Sequence, residues 1–205
     1  MPEDDRPRAV TSPKREAVQS AVLAATEELL AEGASFADLN IERIATRAGI
    51  SRTAFYFYFR DKRELLFRLT EDVATELFEQ ADVWFSGQGE PRQEIREALT
   101  SVAALYLARA ALLRVIVEVA TYEEDVAVFW RGLLQRFVDA AAERIQAEQQ
   151  AGHAPDGDAH ATAFALVWMC ERVLYEQVVQ QEPVATAVLT RTLESIWMRA
   201  IYGRD

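Results

Sequence analysis

One cysteine, six prolines and eight glycines are few for a chain of 205 residues, and each shortage excludes something. A lone cysteine cannot close an internal disulfide, so a small disulfide-stapled extracellular scaffold is excluded and a reducing cytoplasm is the expected setting. Glycine and proline together make up about 7% of the chain, against a usual ~12%. A sandwich or barrel needs a turn signal every ~8–12 residues, which so few punctuating residues do not supply. No stretch approaches the ~20 uncharged apolar residues of a membrane span. The opening Met1-Pro2-Glu3-Asp4-Asp5 is acidic and polar, the reverse of a secretory leader. What is present is enough apolar material for a core, 50% hydrophobic against 27% charged, which excludes disorder of the whole chain.

Positive charge is also scarce overall, with a formal net charge of −11, and this argues at first against a nucleic-acid partner. Its distribution reverses that reading. Residues 1–70 hold eleven basic and eleven acidic side chains, so the remainder carries the whole −11. Within 43–68, Arg43, Arg47, Arg52, Arg60, Lys62, Arg63 and Arg68 face only Asp61 and Glu64. A local basic patch of this kind binds phosphate whatever the average charge.

Punctuation divides the chain. Pro2, Pro7 and Pro13 fall in a charged leader, and residues 1–12 are expected to be a flexible tail. Val18, Ala21, Val22, Ala25 and Leu29 recur at helical steps. Asp61 as cap, with Glu64 three residues on, opens a helix to about Ser86. Further helices are expected near 91–107, 109–121, 123–150, 158–180 and 184–202. Gly132, inside an apolar periodic run, costs ~1 kcal/mol relative to alanine unless close packing uses it. The expected fold class is all-α.

Residues 40–59 carry the most specific pattern. Asn40 and Ser51 are placed to cap successive helices. Ala45 is small where two crossing helices touch, Gly49 permits a left-handed turn, and Ile44, Ile50 and Phe55 fill the wedge. Small residue, turn glycine and buried apolar residue at these offsets are the steric signature of a helix-turn-helix. The second helix then presents Arg52, Thr53, Tyr56 and Tyr58 outward. Phe55-Tyr56-Phe57-Tyr58-Phe59 alternates as an edge strand does, but it is locked between the turn and the Asp61 cap and has no partner strand.

On Ile44-Ala45, Ala48-Gly49-Ile50-Ser51, Phe55-Tyr56, Tyr58-Phe59 and Lys62 with Glu64-Leu65-Leu66, the chain resembles the TetR family of bacterial transcriptional regulators. Arg52 through Phe59 is most similar to an actinobacterial branch, that of the repressor of the ethionamide-activating monooxygenase. Glu171-Arg172, Ile196-Trp197 and Ile201-Tyr202-Gly203 fit that branch too. The resemblance implies about nine helices: a DNA-binding head over 13–68 and a ligand-binding, dimerising body over 69–205. Thr53 and Ala54 depart from the family, which often has glycine and threonine there, and this shifts weight onto Arg52, Thr53 and Tyr56. Arg52 and Thr53 are the candidates for base edges; Tyr56, Tyr58 and Lys62 are assigned to phosphate.

In the body, the helix His160–Val179 is apolar nearly all round, so it is expected to be buried on two sides. One side suits a homodimer seam with Val184–Tyr202. Aromatics at helical spacing are commonly core, yet in this family they imply a tunnel for an apolar effector. Its candidate lining is Tyr122, Trp130, Phe137, Phe164, Trp168, Cys170, Glu171, Tyr175 and Trp197. Trp168, Glu171 and Tyr175 would form one ridge. Carboxylates near aromatics suit a lipophilic cation, but with Glu171 paired to Arg172 the balance favours a neutral or weakly polar molecule. His153, His160, Asp156 and Asp158 match no zinc spacing, and no phosphate loop or nucleophile elbow is present. The expected function is a ligand-responsive DNA-binding regulator without cofactor, catalysis or membrane partner. The competing readings are a helical carrier of hydrophobic molecules and, behind it, an enzyme built into the aromatic cavity.

Overall fold

The structure, a computed structural model, describes residues 13–179 and 184–203; the expected tail, 1–12, lies outside the described residues. Among the described residues are nine α-helices, one π-helix and no strand. The helices are α1 (Pro13–Ala31), α2 (Ile41–Arg47), α3 (Arg52–Tyr58), α4 (Lys62–Phe85), α5 (Pro91–Ala108), α6 (Ala110–Val119), α7 (Glu124–Gln150), α8 (Ala159–Leu174) and α9 (Thr186–Tyr202). The π-helix, Tyr175–Val179, follows α8 directly. The chain divides into two compact units, the first closing at Leu66 and the second opening at Phe67.

In the first unit α1 packs on α2 and α3, burying Val22, Ala25 and Leu29 against Ile44, Ala45 and Phe55. Gly49 takes φ +71, a left-handed value that glycine adopts without Cβ strain. Across it, the Ile50 N–H donates to the Ala45 carbonyl at 3.0 Å, so the turn closes on the small residue. Asn40 Oδ1 accepts from Arg43 N at 2.8 Å and Ser51 Oγ from Ala54 N at 3.0 Å. Each such cap is worth about 1 kcal/mol. Asp61 Oδ1 accepts from Glu64 N at 2.8 Å, while the Glu64 carboxylate reaches one residue further back than a standard capping box, to Arg60 N. The aromatic run that alternates like a strand is thus held as helix by caps at both ends.

In the second unit α7 packs along α8 and α5 along α9. Glu194, buried on α9, accepts from Arg92 at 2.9 Å and from Arg96 at 2.8 and 3.0 Å, tying α9 to α5. Arg144 on α7 pairs with Glu148 at 2.7 Å and Glu94 at 3.5 Å and donates to the Gly87 carbonyl. Glu94 in turn accepts from the Gly89 N–H at 2.5 Å, so one buried ionic cluster fixes the 86–90 loop. No helix of the described residues is long and apolar enough to cross a membrane.

Candidate functional site

Two surfaces carry chemistry, one in each unit. In the first, Arg52, Thr53, Tyr56 and Phe57 of α3 line one open groove, while Phe55 on the opposite side of the helix is fully buried. The Ser51 and Asn40 side-chain oxygens serve as caps. Tyr56 is 48% exposed and Phe57 73% exposed. Sequence reasoning missed Phe57 because it read the aromatic run for its periodicity and not for its outward side. Tyr58 is half-buried, with the Arg15 guanidinium 5.5 Å from its ring centroid.

Lys62 requires a correction. Its ammonium donates to the carbonyls of Phe36, Ala37 and Leu39 at 2.6, 3.1 and 3.0 Å and lies 4.8 Å from the Phe36 ring centroid. All three protons are used internally, so none is left for phosphate, and burial lowers its pKa from the ordinary lysine value. Arg47 is likewise engaged with Glu32 at 2.8 Å and Glu28 at 3.2 Å. Two of the seven basic residues of the patch are therefore engaged internally, and Arg52 is the basic residue that α3 itself presents.

In the second unit an apolar cavity is bounded by α4, α5, α7, α8 and α9. Each helix turns one stripe inward: Ala74, Leu77, Ala81 and Trp84 from α4; Ile95, Leu99, Val102 and Tyr106 from α5; Trp130, Leu133, Leu134 and Phe137 from α7. From α8 come Val167, Cys170, Glu171 and Leu174, and from α9 Trp197. Five of the nine residues expected to line a tunnel, Trp130, Phe137, Cys170, Glu171 and Trp197, meet here. Trp84, Phe85 and Tyr106 also belong to the wall. Their signal in the sequence was one apolar stripe, which a plain core shares.

The other four lie outside this lining. Tyr122, in the turn after α6, is 60% exposed, and Phe164 is 49% exposed with the half-buried Trp168 ring 6.1 Å away. Tyr175 is buried beneath Arg172. The Tyr175 N–H still bonds to the Glu171 carbonyl, four residues back, and the π-helix begins only from Tyr175 onward. Of the expected Trp168–Glu171–Tyr175 ridge, only Glu171 lines the cavity.

The Trp197 indole N–H donates to Cys170 Sγ at 3.1 Å, and Trp197 stands edge-on to Trp84 at 5.2 Å. Burial pushes the Cys170 thiol up to about 12, which leaves it an inert packing group. Glu171 is 5% exposed; burial, first, and then Glu176 raise its pKa from the ordinary carboxylate value, with Arg172 opposing. Of the loose His/Asp set, Asp158 caps α8 by accepting from Ala161 N, and His153 Nδ1 lies 3.0 Å from Glu148. No group of three or more metal-ligating side chains converges among the described residues.

A short capped α3, exposed on the side that Phe55 does not bury, together with a separate apolar cavity, defines a helix-turn-helix protein with a ligand-binding body. Residues 22–69 match the family of bacterial regulatory proteins called tetR, and residues 95–203 match the C-terminal domain of the transcriptional regulator EthR. The chain is 32% identical to the HTH-type transcriptional regulator EthR of Mycolicibacterium smegmatis, covering 97% of this chain and 92% of that protein. It is also 32% identical to EthR of Mycobacterium tuberculosis, covering 98% and 94%. A putative TetR-family regulator from Mesorhizobium loti shares the fold, with a TM-score of 0.74 at 17% identity over 92% of this chain and 97% of that one. The chain belongs to the TetR family of helix-turn-helix transcriptional regulators, with a C-terminal domain of the EthR type.

Proposed function

We propose that the protein is a cytoplasmic, ligand-responsive repressor that binds a palindromic operator as a homodimer and leaves it when a small hydrophobic effector fills the cavity. The observation that carries this reading is the exposed set Arg52, Thr53, Tyr56 and Phe57 on α3, backed by the fully buried Phe55. Arg52 and Thr53 stand at the amino end of α3, where base edges are read in the major groove, and Tyr56 contacts the backbone. The effector is sensed through α4. That helix lines the cavity with Ala74, Leu77, Ala81 and Trp84, and its first residue, Lys62, is bonded to the loop before α2. An effector that binds better to one setting of α4 shifts the population of heads able to bind DNA. The dimer seam is assigned to α8 and α9, which leave Phe164, Val188 and Ile196 exposed.

The test is a salt titration of binding to DNA from upstream of the protein's own gene, with random DNA alongside. Specific binding that weakens steeply with salt is expected, as is loss of base preference in Arg52→Ala. Equal weak binding to both DNAs, and to fragments selected genome-wide, combined with tight binding of hydrophobic molecules, would replace this reading with that of a carrier.

A further inference from the structure

Glu171 is the one charged residue in the lining of the cavity. Its Oε2 is buried and has no hydrogen-bond partner. The basic group beside it does not serve: Arg172 Nε lies 3.8 Å away, beyond hydrogen-bond reach. The Arg172 guanidinium instead covers the Tyr175 ring at 5.1 Å, its Nη1 is 3.5 Å from Glu176, and its side chain is 54% exposed. A nearby donor, the Trp197 indole N–H, is spent on Cys170. Glu171 keeps this 3.8 Å ion pair with Arg172, but its buried Oε2 accepts no hydrogen bond, and a buried acceptor left without a donor is costly, a cost that an occupant carrying a donor would relieve.

We infer that the effector is a lipophilic amine, whose protonated nitrogen donates to Glu171 Oε2 while its apolar body lies among Trp84, Trp130, Phe137 and Trp197. Three features of the lining select this class. No basic side chain is among the residues that line the cavity, so a fatty carboxylate would find no cation of its own there and would be repelled by Glu171. A neutral chain fills the apolar volume but leaves Oε2 without a charged donor. A cation gains a charge-assisted hydrogen bond and aromatic faces within the same enclosure. Glu171 would then act as the specificity-determining residue, and the aromatic walls would contribute affinity without discrimination. The inference rests on the reading of the cavity as the effector site.

Three probes of equal chain length separate the outcomes: n-decylamine, 1-decanol and decanoate. Each is titrated into the full-length protein near neutral pH and followed by tryptophan fluorescence, since three of the four tryptophans line the cavity. For the wild type, decylamine is expected to bind on the order of tenfold more tightly than decanol, with decanoate weakest. In Glu171→Gln the amine preference is expected to fall to about twofold, with the wild-type helix content kept in circular dichroism, which shows the variant folded. Equal affinities for amine and alcohol in the wild type, or a preference that survives in Glu171→Gln, would overturn the inference and leave the effector site standing. Failure of all three probes to bind would overturn both.

Discussion

Lys62 and Glu171 show how single side chains acquire roles that residue type alone does not announce. A lysine in the first turn of a helix beside a DNA-reading element suggests phosphate, yet here it ties three carbonyls of one loop. Lys62→Met keeps the aliphatic stem and leaves those carbonyls without their donor, at a cost of about 1–3 kcal/mol. The expected result is a lower urea midpoint for the first unit, whereas a phosphate contact would leave stability alone and reduce the salt slope by about one. Glu171 makes an opposite kind of prediction. Its carboxyl is raised above the ordinary 4.5 by burial, so the native chain keeps a proton over a range where the unfolded chain has lost it. Its contribution is thus complete below about pH 4.5 and is lost as pH rises through the raised native value. Glu171→Gln is expected to be more stable than the wild type near pH 7.5 and to match it near pH 4, measured as paired denaturation curves. Glu194 is lowered instead, by its bonds to Arg96 and Arg92, and loses its contribution as pH falls. Because both proteins carry Glu194, the difference between them isolates Glu171.

At the scale of helices, Gly132 separates packing from propensity. It lies exposed in the middle of α7, and an added Cβ there would meet nothing within 4 Å. No close approach within the described chain uses this glycine, so Gly132→Ala is expected to stabilise the second unit by about 0.5–1 kcal/mol. Thermal unfolding checks it, with a rise of about 1–4 °C expected for a unit of this size. The same contrast explains what was legible in the sequence. The helix-turn-helix was, because Asn40, Ala45, Gly49, Ser51 and Phe55 act locally: each fixes a cap, a crossing or a turn within a few residues of itself. The start of α4 was legible at Asp61, although Glu64 reaches back to Arg60. The cavity was only half legible. Trp130 and Phe137, two turns apart, face it together, but Tyr122 and Phe164 have the same chemistry and face outward. Aromatic type does not say which side of a helix is wet. Tyr175 and Trp168 share the three- and four-residue spacing with Glu171 yet lie outside the lining, because that spacing covers an arc of the helix wider than the part that meets the cavity.

For the whole molecule, the distribution of charge and of exposed apolar surface points to assembly. Residues 71–205 carry the whole net charge of −11, which disfavours DNA, and on the proposed reading a helix as short as α3 would read few base pairs. On the proposed reading, affinity and selectivity would then depend on two heads being held on one operator. The second head would bind at an effective concentration set by the link between them, and such a link is worth about 10²–10⁴ in affinity without any new contact. The seam assigned to it has Phe164 at 49%, Val188 at 47% and Ile196 at 38% exposure within one chain, apolar groups that two-fold pairing would cover. The double variant Phe164→Glu, Ile196→Glu places a carboxylate from each helix at that seam, so pairing would have to bury four like charges. Sedimentation is expected to show the wild type as a dimer and the variant as a monomer with unchanged helix content. Operator affinity is expected to drop by about 10²–10⁴ with it, while binding to random DNA changes little, because the groove on α3 is untouched. A variant that stayed dimeric with full operator affinity would move the seam to another face. A monomeric variant that kept full operator affinity would mean that one head suffices, and the two-fold reading of the operator would be lost with it.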